Sequence, residues 1–337
     1  MKKIMMAVLV CLAALLLVTG CSKKDSGGAA SSAAKKVRIG IAKIVQHDAL
    51  DACERGIVDA IAARGIDADI DLQNANGDVN TAAQIANKFK SDRVDVAVGI
   101  ATPVAVSLAT TLKDTPVVFS AVTDPVSANL VTTLAHGEGN VTGLSDYLDS
   151  ASHIALFKEI ANIKTLGYIY TSSEANSISA LALVEDAAKA NGLALVSQAI
   201  STSAELRQAA EAIVGRVDGI YLTTDNTVFS ALPALIQVFS AAKKPIFSGD
   251  VTGVLGGGAM IASGFNYYKA GLATGNIVAD ILQGKKPADI PVKFLTEPSE
   301  SDLLFDLDEA KNCGITIPAQ YLAQANYIFE TGKLTTK

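Results

Sequence analysis

The chain has 337 residues, half of them apolar, which is more than one compact core holds and suits two lobes. Its formal charge is −6, Trp is absent and aromatics reach only 5%. With no basic stripe and no basic–aromatic interleaving, nucleic-acid binding loses its electrostatic footprint. The three histidines, His47, His136 and His153, have no metal-ligand spacing and no Cys-x-x-Cys occurs, so neither a metal nor a cofactor is expected.

At the start of the chain, Lys2 and Lys3 precede an apolar run at 4–18 that is short for a membrane span. It leads into Leu17-Val18-Thr19-Gly20-Cys21, which resembles a bacterial lipoprotein signal with its lipobox. The resemblance implies that 1–20 is a signal peptide and that Cys21 is lipidated, palmitate included. It implies an anchor on the extracytoplasmic side of a membrane. An ordinary export signal is the competing reading. Residues 21–36, made of Ser, Gly, Ala and Lys, read as a flexible tether. Export permits a disulfide between Cys53 and Cys313, and two buried free thiols are an equal alternative.

From residue 37 strand-like and helix-like segments alternate. A strand at 37–41 is followed by Leu50, Cys53, Ile57, Ile61 and Arg64 at helical spacing, closed by Gly65. A strand at 67–72 and a helix at 81–90 come next. The runs at 94–101 and 117–121 are almost entirely apolar, as expected of parallel strands covered on both faces. The pattern then restarts, with strands at 166–170, 193–200, 219–222 and 245–248. Between them lie a helical stripe of Ile178, Leu181, Val184 and Ala188, a helix at 204–214 and another at 227–242. Pro233 inside the last of these predicts a kink or a late first turn. A strand at 259–263, a long helix at 267–282 and short strands at 292–295 and 303–305 complete the chain.

The two halves overlay in architecture: DVAVGIATPVA…TPVVFSAVTD (95–124) runs parallel to DGIYLTTDNTV…KPIFSGDVTG (218–253). The expectation is an α/β fold of two Rossmann-like lobes, each a parallel sheet flanked by helices. Residues 37–145 and 256–291 form the N-terminal lobe, and 146–255 and 292–337 the C-terminal lobe. One large sheet is the competing arrangement.

In open α/β sheets, ligands bind beyond the carboxyl ends of the strands. Those ends here carry Gln46-His47-Asp48, Ala101-Thr102, Thr123-Asp124, Ser172-Ser173, Thr224-Asp225-Asn226 and Gly249-Asp250. Most precede a helix, whose first N–H groups are unpaired and attract anions. Pro103 and Pro125 fit the first helical position, where no N–H is needed. Each polar residue alone is equally a plain helix cap, and Asp124 in particular suits a cap on its own helix. Together, facing one cleft, they suit a zwitterion, with its carboxylate on the donors of Thr102 and Thr123 and its ammonium toward Asp225 and Asp250.

HDALDACERGIVDAI (47–61), FSAVTDPVSANLV (119–131), GNVTGLSD (139–146), YTSSEANS (170–177), TTDNTV (223–228) and LQGKKPADIPV (282–292) resemble the substrate-binding lipoproteins of ABC importers. The subgroup is that typified by tryptophan- and tyrosine-binding proteins. The resemblance implies a type I periplasmic-binding-protein fold with three hinge crossings. It implies a monomer that captures a small ligand, an amino acid and possibly an aromatic one, and delivers it to permease and ATPase subunits. By motif, His47 and Asp51 lie at the cleft edge. Ala101, Thr102, Ala121, Val122, Thr123 and Asp124 hold the carboxylate, while Ser172, Ser173, Asn176 and Ser177 close over the ligand. Thr224, Asp225 and Asn226 take the ammonium, with Asp250 supporting them near the hinge.

Asp51 is equally a solvated helix residue, and His47 equally a structural one. Tyr147, Tyr170 and Tyr268 either wall a side-chain pocket or pack in the core. The lack of Trp departs from what an indole site would favour. No nucleophile elbow, Walker loop or zinc-protease motif supports an enzyme. A tethered sensor or adhesin, and a nucleoside or sugar binder, remain alternatives.

Overall fold

The computed structural model describes residues 36–295, 297 and 300–337; the signal, Cys21 and nearly all of the tether lie outside them. The chain opens with β1 (Val37–Lys43), α1 (Asp48–Ala63), β2 (Ala68–Asn74), α2 (Val79–Asp92), β3 (Val96–Ile100), α3 (Thr102–Thr111), β4 (Val117–Ser120) and β5 (Val141–Ser145). These strands and a late β11 (Lys293–Phe294) form one sheet in the order β11-β5-β4-β3-β1-β2, parallel throughout. Every residue of β3, β4 and β5 is buried, because helices cover both faces.

The second sheet begins after α4 (Ser150–Ala161), with β6 (Thr165–Thr171), α5 (Ala175–Ala190), β7 (Ala194–Ile200), α6 (Leu206–Val214), β8 (Gly219–Leu222), α7 (Asn226–Ser230), α8 (Leu232–Ala241), β9 (Ile246–Ser248) and β10 (Ile261–Phe265). Its order is β14-β13-β12-β10-β9-β8-β6-β7. The strands run parallel from β7 to β10; β12 (Ser301–Asp306) is antiparallel to β10, and β13 (Tyr327–Glu330) pairs with β14 (Lys333–Thr336) as a hairpin. Two sheets therefore stand where a single large one was the alternative.

The chain crosses between the sheets three times: after β5, between β10 and α9 (Tyr267–Leu282), and between β11 and β12. The second and third crossings correct the expected boundaries at 255/256 and 291/292. Ile261 pairs with Phe247 of β9, so 256–265 stays with the C-terminal sheet, and Lys293 and Phe294 pair with β5, so they stay with the N-terminal one. Local periodicity shows that 259–263 is a strand but not which sheet edge it joins.

Helix α9 returns to the N-terminal lobe and lies against α1. Their backbones come close because glycines line the crossing. A Cβ on Gly56 would stand 2.3 Å from the carbonyl of Tyr268, and one on Gly271 would stand 2.1 Å from that of Cys53. Cys53 is buried in this lobe with Sγ 3.1 Å from Ser120 Oγ, and Cys313 is half-buried in the other lobe; both are free thiols.

Two local expectations are corrected. Residues 227–242 form two helices rather than one, since Pro233 has no N–H to donate and the chain breaks at Ala231 (φ −126°) to restart α8. After Asp124-Pro125 there is a single turn and no helix, ended by Asn129 in the left-handed conformation (φ 56°).

Candidate functional site

The carboxyl ends of β1, β3, β4 and β5 meet those of β6, β8 and β9 across the seam between lobes. Helix α3 touches α5 there, and α1 touches the short turn Thr252–Val254. Across the seam the hydroxyls of Thr224 and Thr123 lie 3.2 Å apart, and Thr123 gives its proton to Asp146 at 3.1 Å. A buried cavity of about 10 Å³ remains, walled by His47, Leu50, Phe229 and Tyr267 and floored by Asp146, Asp225 and Asp250. That volume holds about one water molecule, so the lobes are closed and an amino-acid-sized guest enters only when they part.

On the N-terminal side, His47 opens α1 with an extended backbone (φ −159°) and gives no side-chain cap to the helix. Its ring turns inward and lies 6.0 Å from the ring of Phe229 on the opposite lobe. Burial pushes the imidazole down to about 4, against the pull of Asp51, so the ring is neutral. Both ring nitrogens are buried and make no hydrogen bond of good geometry, although the Asn226 side chain, whose amide donates to Glu174 at 2.6 Å, lies close enough to pull the imidazole's pKa upward. At the end of β3, Ala101 sits at φ 75°, ψ 154°, and at the end of β4 Ala121 sits at φ 53°. A side chain in such a conformation costs about 1–3 kcal/mol. The strain at Ala101 turns the chain sharply into α3, where Thr102 Oγ1 is buried with no partner.

On the C-terminal side, Asp225 caps α7. Its carboxylate accepts from Thr171 N and Ser177 Oγ, both at 2.7 Å, on one oxygen, and from Thr171 Oγ1 (2.7 Å) and Val228 N (3.0 Å) on the other. Four donors fill a carboxylate, so Asp225 reaches the cavity wall as a saturated frame and has no lone pair left for an ammonium. Glu174 is likewise filled, by Thr227 N and Oγ1 on one oxygen and by Asn176 and Asn226 amides on the other. Burial, then the neighbouring Asp225, raises its carboxyl above the ordinary range. Asn176 keeps a buried Oδ1 with no partner.

The remaining acids lie at the hinge. Asp146, just past β5, accepts from Thr123 and from the Tyr267 hydroxyl at 2.9 Å, and burial raises its carboxyl. Burial lifts Asp250 to about 7, although the Thr252 amide donates to it at 2.7 Å. Four buried carboxylates thus surround the seam. Lys43 is the only buried basic residue among the described residues, and it is held by Asp51 at 2.6 Å and Glu54 at 3.1 Å.

Of the residues expected from sequence, His47, Ala121, Thr224, Asp225, Asn226 and Asp250 line the cavity. Thr102, Thr123, Asn176 and Ser177 are buried, with Thr123 and Ser177 bonded to residues of its wall and Ala101 supplying the turn into Thr102. The others stand apart from that cavity. Asp51 is paired with Lys43, Val122 is in the lobe core, and Asp124 caps the amides of Val126 and Ser127 and faces an outer groove. Ser172 and Ser173 are exposed. Tyr147 and Tyr268 are exposed too, and Tyr170 stacks on Tyr168; none of the three lines the cavity.

Sequence reasoning missed Asp146, Glu174, Phe229 and Tyr267. Asp146 ends a strand as the others do and was within reach of the same rule; Tyr267 was hidden by the misplaced crossing. A roomier groove of about 470 Å³ opens between the lobes beside Tyr147, Leu183 and Phe294. None of the four unpaired buried side-chain atoms found among the described residues belongs to its lining; two of them, both on His47, line the small cavity, which is the better candidate.

Residues 38–328 match the family described as ABC transporter substrate binding protein. The chain is 38% identical over 282 residues to a tyrosine-binding protein of Clostridioides difficile, covering 82% of this chain and 81% of that one. A Streptococcus pneumonia domain solved with L-Trp is 33% identical with a TM-score of 0.82, covering 87% of this chain and all of that one. A ligand-free, open substrate-binding protein with adhesive properties from Clostridium difficile is 36% identical, yet its TM-score is 0.64, over 84% of this chain and 96% of that one. Greater likeness in sequence with lesser likeness in shape fits lobes set closed here and open there. The fold is that of the type I periplasmic binding proteins.

Proposed function

This chain belongs to the ABC transporter substrate-binding protein family, and we propose that the substrate it captures is an amino acid with an aromatic side chain. As a member of that family it is the extracytoplasmic binding component of an importer. Such proteins bind rather than transform, so the ligand should be recovered unchanged.

The observation that carries the proposal is the set of unpaired buried atoms. His47 Nδ1 and Nε2, Thr102 Oγ1 and Asn176 Oδ1 come from both lobes; His47 lines the cavity, Asn176 lies beside the Thr224 carbonyl, and the helices that carry Thr102 and Asn176 touch. Unpaired polar atoms at such depth cost about 1–3 kcal/mol each, and a ligand repays that when it supplies their partners. The carboxylate of the ligand goes to Thr102 and the free amides opening α3, where the helix end favours an anion. The ammonium goes to Asp146 and Asp250, with Asn176 Oδ1 as an added acceptor, since these acids have no buried cation of their own. The side chain lies among Leu50, Phe229, Tyr267 and His47. The relatives named for tyrosine and solved with L-Trp support this ligand class.

Binding then works by closure: contacts made on both lobes stabilise the closed state, and the membrane complex reads it. The anchor in this reading is lipid on Cys21, and the protein acts as a monomer beside permease and ATPase subunits. The test is a thermal-shift screen of the purified protein against amino acids, nucleosides and sugars. Stabilisation by aromatic amino acids alone is the expected outcome, and a shift only with sugars or nucleosides refutes it. The adhesive relative supports a second reading, a surface-exposed adhesin on the same scaffold, for which loss of cell attachment on deleting the gene is the measure.

A further inference from the structure

We infer that His47 is the specificity residue of this site: it pairs with the polar edge of the ligand's ring, so that hydroxyphenyl and indolyl amino acids are preferred to phenylalanine. The inference rests on the aromatic amino-acid reading and goes beyond it by naming which side chain discriminates and how.

The geometry separates the jobs in the cavity. Carboxylates crowd the hinge side, where Asp146 and Asp250 stand without a buried cation, and that side answers an ammonium. Thr102 and the start of α3 answer a carboxylate. His47 lies on the wall with Leu50, Phe229 and Tyr267, and with Asn226 beside it. A ligand ring fitting there meets the imidazole as a polar edge with capacity left, since the Tyr267 hydroxyl is given to Asp146 and the Asn226 amide to Glu174. That imidazole is neutral because it is buried, so it offers one N–H donor and one bare nitrogen acceptor. Neither makes a hydrogen bond of good geometry within the protein, with the Asn226 side chain as the polar neighbour.

A phenol O–H or an indole N–H donates to the bare nitrogen and removes one unpaired atom. A phenyl ring fills the same space but leaves that nitrogen dry and unpaired, and sites built around a hydrogen bond reject the analogue that lacks it. Charge on the ligand ring is unnecessary, and a cationic side chain has no acid facing it on this wall, because Asp51 is taken by Lys43.

The test is titration calorimetry of L-Tyr, L-Trp and L-Phe with the wild-type protein, His47→Leu and His47→Gln. We expect wild type to bind Tyr and Trp at least tenfold more tightly than Phe, which is about 1.4 kcal/mol. His47→Leu should lose that factor by weakening Tyr and Trp while Phe stays within threefold, and His47→Gln should recover part of it. The empty His47→Leu protein should melt no lower than wild type, since it removes buried polar atoms that bond to nothing, which separates a ligand role from a structural one. Equal affinity for all three in wild type overturns the inference, as does an equal loss for all three in His47→Leu. Both outcomes leave the aromatic amino-acid reading standing. If none of the three binds, that reading falls and the role of His47 falls with it.

Discussion

Replacing Asp225 with Ala should damage the empty protein before it damages binding. The carboxylate takes four hydrogen bonds, from two backbone amides and two hydroxyls, at 2.7–3.0 Å, and the residue is 2% exposed. The hydroxyls of Thr171 and Ser177 can rotate toward other partners, whereas the amides of Thr171 and Val228 cannot. An unpaired buried donor costs about 1–3 kcal/mol, and loss of a helix cap costs about 1 kcal/mol. Two stranded amides, one of them the capped one, therefore destabilise by roughly 4 kcal/mol. At about 2–4 °C per kcal/mol for domains of this size, the melting temperature should fall by about 10 °C. The assay is a thermal melt of the ligand-free protein, with Asp225→Asn falling between the two because it keeps one acceptor oxygen. A variant that melts within about 2 °C of wild type but binds ligand tenfold more weakly would refute the reasoning. It would return Asp225 to the role of ammonium partner that its position at a strand end first implied.

Asp250 is lifted from 3.8 to about 7 in the folded state, so between those values the folded protein holds a proton that the unfolded chain has released. The empty protein should therefore lose stability as pH rises from about 4 through 7, and Asp250→Asn should flatten that slope in melts recorded from pH 5 to 8. Ligand affinity should rise over the same interval as Asp250 becomes charged, measured by calorimetry at each pH. Gly271→Ala should cost at least about 2 kcal/mol in urea unfolding, since its Cβ meets the Cys53 carbonyl and α1 and α9 must separate. Ala101→Gly should raise the melting temperature by a few degrees, because relieved strain of about 1–3 kcal/mol exceeds the extra flexibility glycine gives the unfolded chain.

Much of the architecture was legible from residue order alone. Val96–Ile100 and Val117–Ser120 are unbroken apolar runs because both faces of a parallel strand are covered, and that signal is local. So is the proline after Thr102, and so is the stripe that buries Leu50, Cys53, Ile57 and Ile61 on one side of α1. The rule that polar residues gather at strand ends pointed to His47, Thr102, Thr123 and Asp250 from residue order alone, and Asn176 came only from the family resemblance.

Which of those residues still has hydrogen-bonding capacity to offer was decided only by tertiary structure. Asp225 and Asp250 look alike in sequence, each following a strand. One accepts four donors, three of them supplied by Thr171 and Ser177 about fifty residues away, and the other is met only by its immediate neighbours Thr252 and Gly253 and keeps a raised pKa. Tyr267 reaches Asp146 across 121 residues, a contact that exists only because the chain crosses between lobes at Asn266. Sequence periodicity reports which face of an element is buried, since burial acts on each element separately. Hydrogen-bond saturation depends on where distant segments end up relative to one another, and so it emerges only when the two lobes are packed.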